Sequence, residues 1–257
     1  MSGTKSPSQK APATDQELAL VEALIVSHGQ PSDPQPAEDA LAEYTAQIQA
    51  AIPDHTIASA TLAAPDKLEE QLARMEDGGV IYPLFMADGW FVRTALINRI
   101  SDAALNILVS IMPPYGLAPQ LPKVAANAVQ TEMQKQGCSK LLIAAHGSAY
   151  GDAPAASARL FMERLQKEMP EATMDLGFLE QEPSIGDKAR ALGEGTICLP
   201  FFAMMGDHVR LDIPAALKMG EFKGPVLPSI SHLEGADQIA ITALSQALAK
   251  RKSTGAA

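Results

Sequence analysis

Cysteine is nearly absent: Cys138 and Cys198 are the two in 257 residues. No Cys-x-x-Cys spacing or cysteine cluster occurs, which argues against an iron–sulfur centre, and each cysteine reads as a small buried residue near the start of an apolar run. No segment approaches the ~20 apolar residues that span a bilayer, so no membrane association is expected. The opening MSGTKSPSQKAPATDQE contains no apolar stretch and is not a secretory signal. Residues 1–18 are expected to be a disordered lead-in and the protein cytoplasmic. Basic charge is also short. Twenty Lys and Arg face 30 Asp and Glu, a formal net charge of −10, so the chain lacks the cationic excess of a general nucleic-acid binder. An anionic small ligand is still compatible with this balance, because local basic residues can line a pocket. Neither HExxH nor a nucleophile elbow is present, which disfavours a metal-dependent hydrolase on an α/β sheet.

What is present is a diverged tandem repeat. Hydrophobic residues make up 47% of the chain, enough to bury a sizeable core. Leu24-Ile25-Val26-Ser27-His28-Gly29 matches Leu142-Ile143-Ala144-Ala145-His146-Gly147 at four of six positions, at an offset of 118. Pro83 to Arg93 (PLFMADGWFVR) matches Pro200 to Arg210 (PFFAMMGDHVR) at five of eleven positions, at an offset of 117. Pro65 and Pro183 match at 118, which places a one-residue length change between them and Pro83. The repeat boundary falls near residue 133, giving halves of 19–133 and 134–257.

Short apolar runs alternate with segments of helical spacing. In the first half these fall at 22–27, 36–51, 55–62, 66–76, 79–85, 92–103, 106–111 and 120–135. In the second half, strands are expected at KLLIAAHG, ATMDLGFLE, TICLPFF and PVLPSI, and helices at 153–168, 183–192, from about 209, and 236–250. Such alternation predicts an α/β fold: two similar lobes, each a four-stranded parallel sheet flanked by helices, with right-handed crossovers.

Open parallel sheets bind ligands beyond the carboxyl ends of their strands. In the second half that position holds His146, Glu180 and Met205-Gly206-Asp207-His208. With the second, first and third strands side by side at ~4.8 Å spacing, two imidazoles and a carboxylate can converge above the first. Such a set suits Fe²⁺, Co²⁺ or Zn²⁺ and leaves coordination positions open. Taken singly, each residue has a plainer account: a turn residue, a solvated glutamate, a helix N-terminal histidine. The first half is an internal control. By the same offsets His28 matches His146, Leu62 matches Glu180 and Phe91 matches His208, and His, Leu and Phe cannot build a metal site. The first half therefore keeps the fold without the chemistry, and His28 either packs or touches ligand.

HGS after the first strand, GFLE followed by PS, and PFF-x3-G-x-HV-x2-DIP resemble the motifs of the sirohydrochlorin chelatases, closely over residues 139–216. The first half is similar in outline through SHG, PLF-x3-G-x2-V and Pro113-Pro114-Tyr115-Gly116. The resemblance is to the class II, CbiX-type family in its long fused form; shorter relatives carry one repeat and dimerise. It implies two lobes with the tetrapyrrole in the cleft between them. It implies that His146, Glu180 and His208 bind the incoming metal and help take the pyrrole protons. Fe²⁺ or Co²⁺ is then a substrate, no organic cofactor is needed, sirohydrochlorin is the partner, and one chain suffices as a monomer. The resemblance implies a place in siroheme or cobalamin biosynthesis.

Arg93, Arg99, Arg210 and Lys218 can pair with the ring's many carboxylates, or be solvated helix faces. Trp90 and Phe91 supply an apolar wall for the macrocycle, or core packing. Asp207 and Asp212 orient the imidazoles from behind, or are cap and surface residues. The His-rich and cysteine-rich tail that some relatives carry does not appear in this sequence. The alternative function is a carrier that binds tetrapyrrole or metal without turnover.

Overall fold

The computed structural model describes residues 19–103 and 107–254; the lead-in at 1–18 lies outside the described residues. Seven strands and eight α-helices follow one another: β1 (Val21–Ser27), α1 (Pro34–Ala51), β2 (Ile57–Thr61), α2 (Lys67–Leu72), β3 (Met75–Pro83), α3 (Ile97–Asp102), β4 (Val109–Ile111), α4 (Leu121–Gln136), β5 (Lys140–Ala145), α5 (Ala153–Glu168), β6 (Thr173–Phe178), α6 (Ile185–Leu192), β7 (Thr196–Pro200), α7 (Ile213–Met219) and α8 (Asp237–Thr254), these being counts of the described residues. The first sheet has the order β2-β1-β3-β4 and the second β6-β5-β7, and every pairing is parallel. The first strand of each repeat is central. The chain leaves it on one side to form the next strand and returns on the other, so the carboxyl ends of β1 and β5 are the topological switch points.

Both faces of each central strand are buried, which is why the strands are continuous apolar runs. Alternate side chains enter different cores. Ala23 and Ile25 of β1, with Leu141, Ile143 and Ala145 of β5, join one large cluster spanning both repeats. Leu24 and Val26 face a second cluster under α2 and α3, and Leu142 and Ala144 a third under α6 and α7. Cys198 lies in this last cluster, and burial pushes its thiol up to about 12; Cys138 is partly exposed and both are unpaired.

The second sheet differs from expectation. Of the segment PVLPSI, Val226 alone bridges to Cys198, through Pro225 O accepting from Cys198 N and Leu227 N donating to Cys198 O, each at 2.9 Å. Pro225 and Pro228 have no N–H to extend the ladder. The sheet therefore has three strands among the described residues, where four were expected. Helix α2 ends at Leu72, short of the expected 76, because β3 already begins at Met75.

The last helix of each repeat packs on the other repeat. Helix α4 lies against α5 and β7, while α8 lies against α1, β1 and β3. Arg251, near the end of α8, pairs with Glu76, stands 3.7 Å from Glu22, and donates to the Asp77 carbonyl at 2.9 Å. Glu22 also takes hydrogen bonds from His55 and the Thr56 amide, at 2.9 Å each. Partial burial raises the Glu22 carboxyl, and these donors outweigh it, so its titration is held below the ordinary carboxylate range.

Because the core is shared, damage to α8 is felt by both repeats. Leu244 is fully buried in the joint cluster. Leu244→Ala is expected to cost about 2–5 kcal/mol, read by urea denaturation as an earlier but still single transition. Two separated transitions, with one unmoved, would show that the repeats have independent cores.

Candidate functional site

His146 follows β5 directly, at the second repeat's switch point. Gly147 has φ +70°, a left-handed conformation that glycine adopts without strain, and a Cβ there would stand 2.7 Å from Gln181 Cγ. That turn brings the Gly147 carbonyl back to His146 Nδ1 at 3.0 Å. A carbonyl only accepts, so Nδ1 carries the proton. His208 begins a wide π-helical turn, His208–Asp212, and its Nδ1 donates to Asp212 Oδ2 at 2.7 Å. Such turns occur frequently at functional sites. Of the two aspartates considered for orienting the pair, Asp212 makes this contact. No side-chain bond of that kind joins Asp207 to either imidazole among the described residues.

With both Nδ1 atoms donating, each neutral ring keeps a bare lone pair on Nε2. These two atoms face each other at 3.2 Å, the rings meeting at right angles with centroids 4.6 Å apart. Two lone pairs so placed repel unless a cation lies between or above them. A metal ion about 2.1 Å from each nitrogen would subtend roughly 100° at this separation, within the range for adjacent ligands. Phe202 stands beside both rings, 6.2 Å from His146 and 6.0 Å from His208.

Glu180 lies at the end of β6. Its amide donates to the His146 carbonyl at 2.9 Å, so the two backbones are neighbours, but its side chain is exposed. Among the described residues no three His, Cys, Asp or Glu side chains form a ready metal cage. The structure thus brings His146 and His208 together and leaves Glu180 beside them with its carboxylate in solvent.

The first repeat reproduces the scaffold. His28 Nδ1 donates to the Gly29 carbonyl at 2.7 Å, and Gly29 has φ +75°. A π-helical turn, Phe91–Leu96, again follows the third strand. Phe91 meets His28 edge-on at 4.2 Å and 87°, the arrangement that His208 makes with His146. Phe85 stacks on Phe91 as Phe202 flanks His208. Strand register corrects one correspondence. Val26 pairs with Ala60, and Ala144 with Gly177, so Ala63, not Leu62, is the counterpart of Glu180. Accordingly Ala63 N donates to His28 O just as Glu180 N donates to His146 O. Alanine offers a metal no lone pair either.

Trp90 is 64% exposed and Phe91 39%, so neither is simple core packing. Gly89, next to Trp90, lies close to Ala153 at the start of α5, bringing this loop to the seam with the second repeat. Arg99 is committed elsewhere: it grips Glu69 with two nitrogens, at 2.7 and 2.5 Å, and donates to Leu62 O at 2.7 Å. Arg93 pairs with Asp88 at 2.7 Å, whereas Arg210 is exposed without a carboxylate partner among the described residues. Lys218 is exposed on α7. His232, which sequence reasoning passed over, lies in a single turn, Ile230–His232, after the second sheet. No strand end or helical period marks it.

Two parallel sheets related by an internal repeat, with an imidazole pair at one switch point and an aromatic copy at the other, define a two-repeat α/β protein with one polar site. The CbiX family model matches residues 22–132 and again 140–249, and the chain belongs to that family. It is similar to the structure of CbiX described as the terminal enzyme for biosynthesis of siroheme in denitrifying bacteria, with 37% identity, a TM-score of 0.79, and coverage of 88% of this chain and 98% of that one. SirB from Bacillus subtilis with Fe³⁺ shares the fold at 16% identity and a TM-score of 0.70, covering 90% and 96%. DR2241 from Deinococcus radiodurans, a multi-domain protein described as structurally similar to chelatases, shares it at 14% and 0.64, covering 88% of this chain and 54% of that one. A search of curated proteins returned no match. No helix among the described residues is long and apolar enough to cross a membrane.

The carboxylate behind His208 generates a prediction. Asp212→Ala removes the acceptor that holds Nδ1–H, freeing the ring to turn. Affinity for Co²⁺, followed by its visible absorption, is expected to fall about 10–100-fold. Unchanged affinity would make Asp212 a bystander.

Proposed function

We propose that this protein inserts a divalent metal, Fe²⁺ or Co²⁺, into sirohydrochlorin at His146 and His208. The observation that carries this reading is the pair of Nε2 lone pairs facing each other at 3.2 Å. Membership of the CbiX family supports the substrate. Imidazole accepts either metal, and two protein ligands hold it loosely enough for release.

Metal insertion exchanges charge for charge. The ring gives up two N–H protons and gains one M²⁺, and the site does the reverse. When the metal leaves, the facing Nε2 pair can take one of the two ring protons and share it, one Nε2–H donating to the other lone pair, and the second proton passes to Glu180. Glu180 borders the pair and accepts or relays a proton as the metal moves. The first repeat, with Phe91 and Trp90 exposed and His28 capped by Phe91, supplies the apolar wall against which the flat ring rests. Both repeats reside in one chain, so a monomer is sufficient and no organic cofactor is required.

The test is an anaerobic absorbance assay of metal insertion, with sirohydrochlorin and each metal in turn. His208→Ala is expected to lose turnover above background while still binding the ring. Glu180→Gln is expected to fall ~10²-fold or more, as for loss of a general base. Wild-type turnover in His208→Ala would remove the site assignment. A wild-type chain that binds ring or metal without insertion would instead be a carrier.

A further inference from the structure

Comparison of the repeats isolates one cation. Arg93 and Arg210 occupy matching positions in the two π-helical turns. Arg93 is neutralised by Asp88 at 2.7 Å. The residue matching Asp88 in the second repeat is Met205, whose sulfur accepts from the Ser229 amide at 3.2 Å. The second repeat has thus exchanged the local counter-ion for a thioether, and the Arg210 guanidinium is left exposed, two residues beyond His208.

The turn that Met205 holds also carries His232. Ser231 Oγ donates to the Ala203 carbonyl, so the 229–232 turn is tied to the 203–205 loop at two points. His232 is exposed, but its Nδ1 edge rests on two buried hydroxyls, Ser229 Oγ at 2.9 Å and Ser231 Oγ at 3.0 Å. Because Ser231 spends its proton on Ala203, it accepts from Nδ1–H, and Nε2 is the ring's open edge. The charges that act on the ring are those of Arg210 from the π-helical turn and Glu43 from α1 of the first repeat, so both repeats contribute to its electrostatics.

We propose that Arg210 and His232 together anchor one carboxylate of the tetrapyrrole, on the metal-binding side of the molecule. This rests on the chelatase reading above and adds to it a residue and an orientation. A ring carboxylate arriving here restores the counter-ion that Met205 has replaced. Arg210 supplies a charge-assisted bond, and His232, fixed through its serines, offers Nε2 once it takes a proton from solvent. In the free protein, partial burial and the Arg210 charge hold His232 below the ordinary imidazole range, with Glu43 pulling the other way. A bound carboxylate reverses the Arg210 contribution. One edge of the ring is thereby held beside His208, while the first repeat, whose Arg93 is already paired, meets an apolar part of the ring.

Trp90 is the sole tryptophan and is exposed, so its fluorescence reports ring binding without turnover. Metal-free sirohydrochlorin is titrated into the full chain. Arg210→Met and His232→Phe are each expected to raise Kd about 10-fold or more, as for loss of a hydrogen bond to a charged group. The double variant should add little to the worse single one, because both serve the same carboxylate. His232→Gln, which keeps a side-chain donor, should restore most of the affinity. Melting temperature and Co²⁺ binding should stay at wild-type values in His232→Phe, which separates ring anchoring from folding or metal loss. Wild-type Kd in His232→Phe overturns this inference alone. A wild-type chain that binds no sirohydrochlorin overturns the functional reading and this inference with it.

Discussion

Two hydrogen bonds on the far sides of two rings fix the arrangement on which the rest of the candidate site depends. The Gly147 carbonyl and the Asp212 carboxylate each claim an Nδ1 proton, and so leave two Nε2 lone pairs in opposition. Everything nearby serves that opposition. The left-handed glycine turns the carbonyl back, the wide turn after β7 sets His208 and Asp212 on one face, and the switch point of the sheet puts both at the same edge. An imidazole pair in this state lacks only a positive charge, which a metal ion or a shared proton can supply.

The first repeat shows how little needs to change to abolish this. The glycine turn, the capped histidine, the flanking phenylalanine and the wide helical turn are all retained. Replacing one imidazole by a phenyl ring converts a confrontation of lone pairs into an edge-on aromatic contact of nearly the same geometry. The packing is conserved and the polarity inverted. An apolar surface at one switch point therefore faces the same seam as a polar site at the other.

Much of this was legible in the sequence because it follows from buried strands. Leu24 to Val26 and Leu142 to Ala145 are apolar on both faces, and the residues after them, His28 and His146, had to lie at sheet edges. What escaped has physical reasons. Pro225 and Pro228 interrupt a ladder that hydrophobicity alone suggests. Leu62 was matched to Glu180 because Pro65 and Pro183 align, yet strand register runs one residue differently and selects Ala63. Glu180 follows its strand as expected, but a strand end fixes the backbone and not where a long side chain rests. His232 depends on two serines, a carbonyl and a thioether from a loop 28 residues away from Ser231 in sequence, and no local pattern encodes that. The choice between Asp207 and Asp212 likewise needed the π-helical geometry.

The exchange of α4 and α8 between repeats has a consequence for what the fold is free to become. Two identical chains trading such helices would be mirror partners in every substitution: a phenylalanine gained on one side of the seam would appear on the other, and the imidazole pair would be lost twice. Covalent joining releases that constraint. Each helix still crosses over, but the partner is now encoded separately and always present, whatever the dilution. The protein can then keep one hydrophilic edge and one oily edge within a single chain, and the two sides of the seam are free to become unlike.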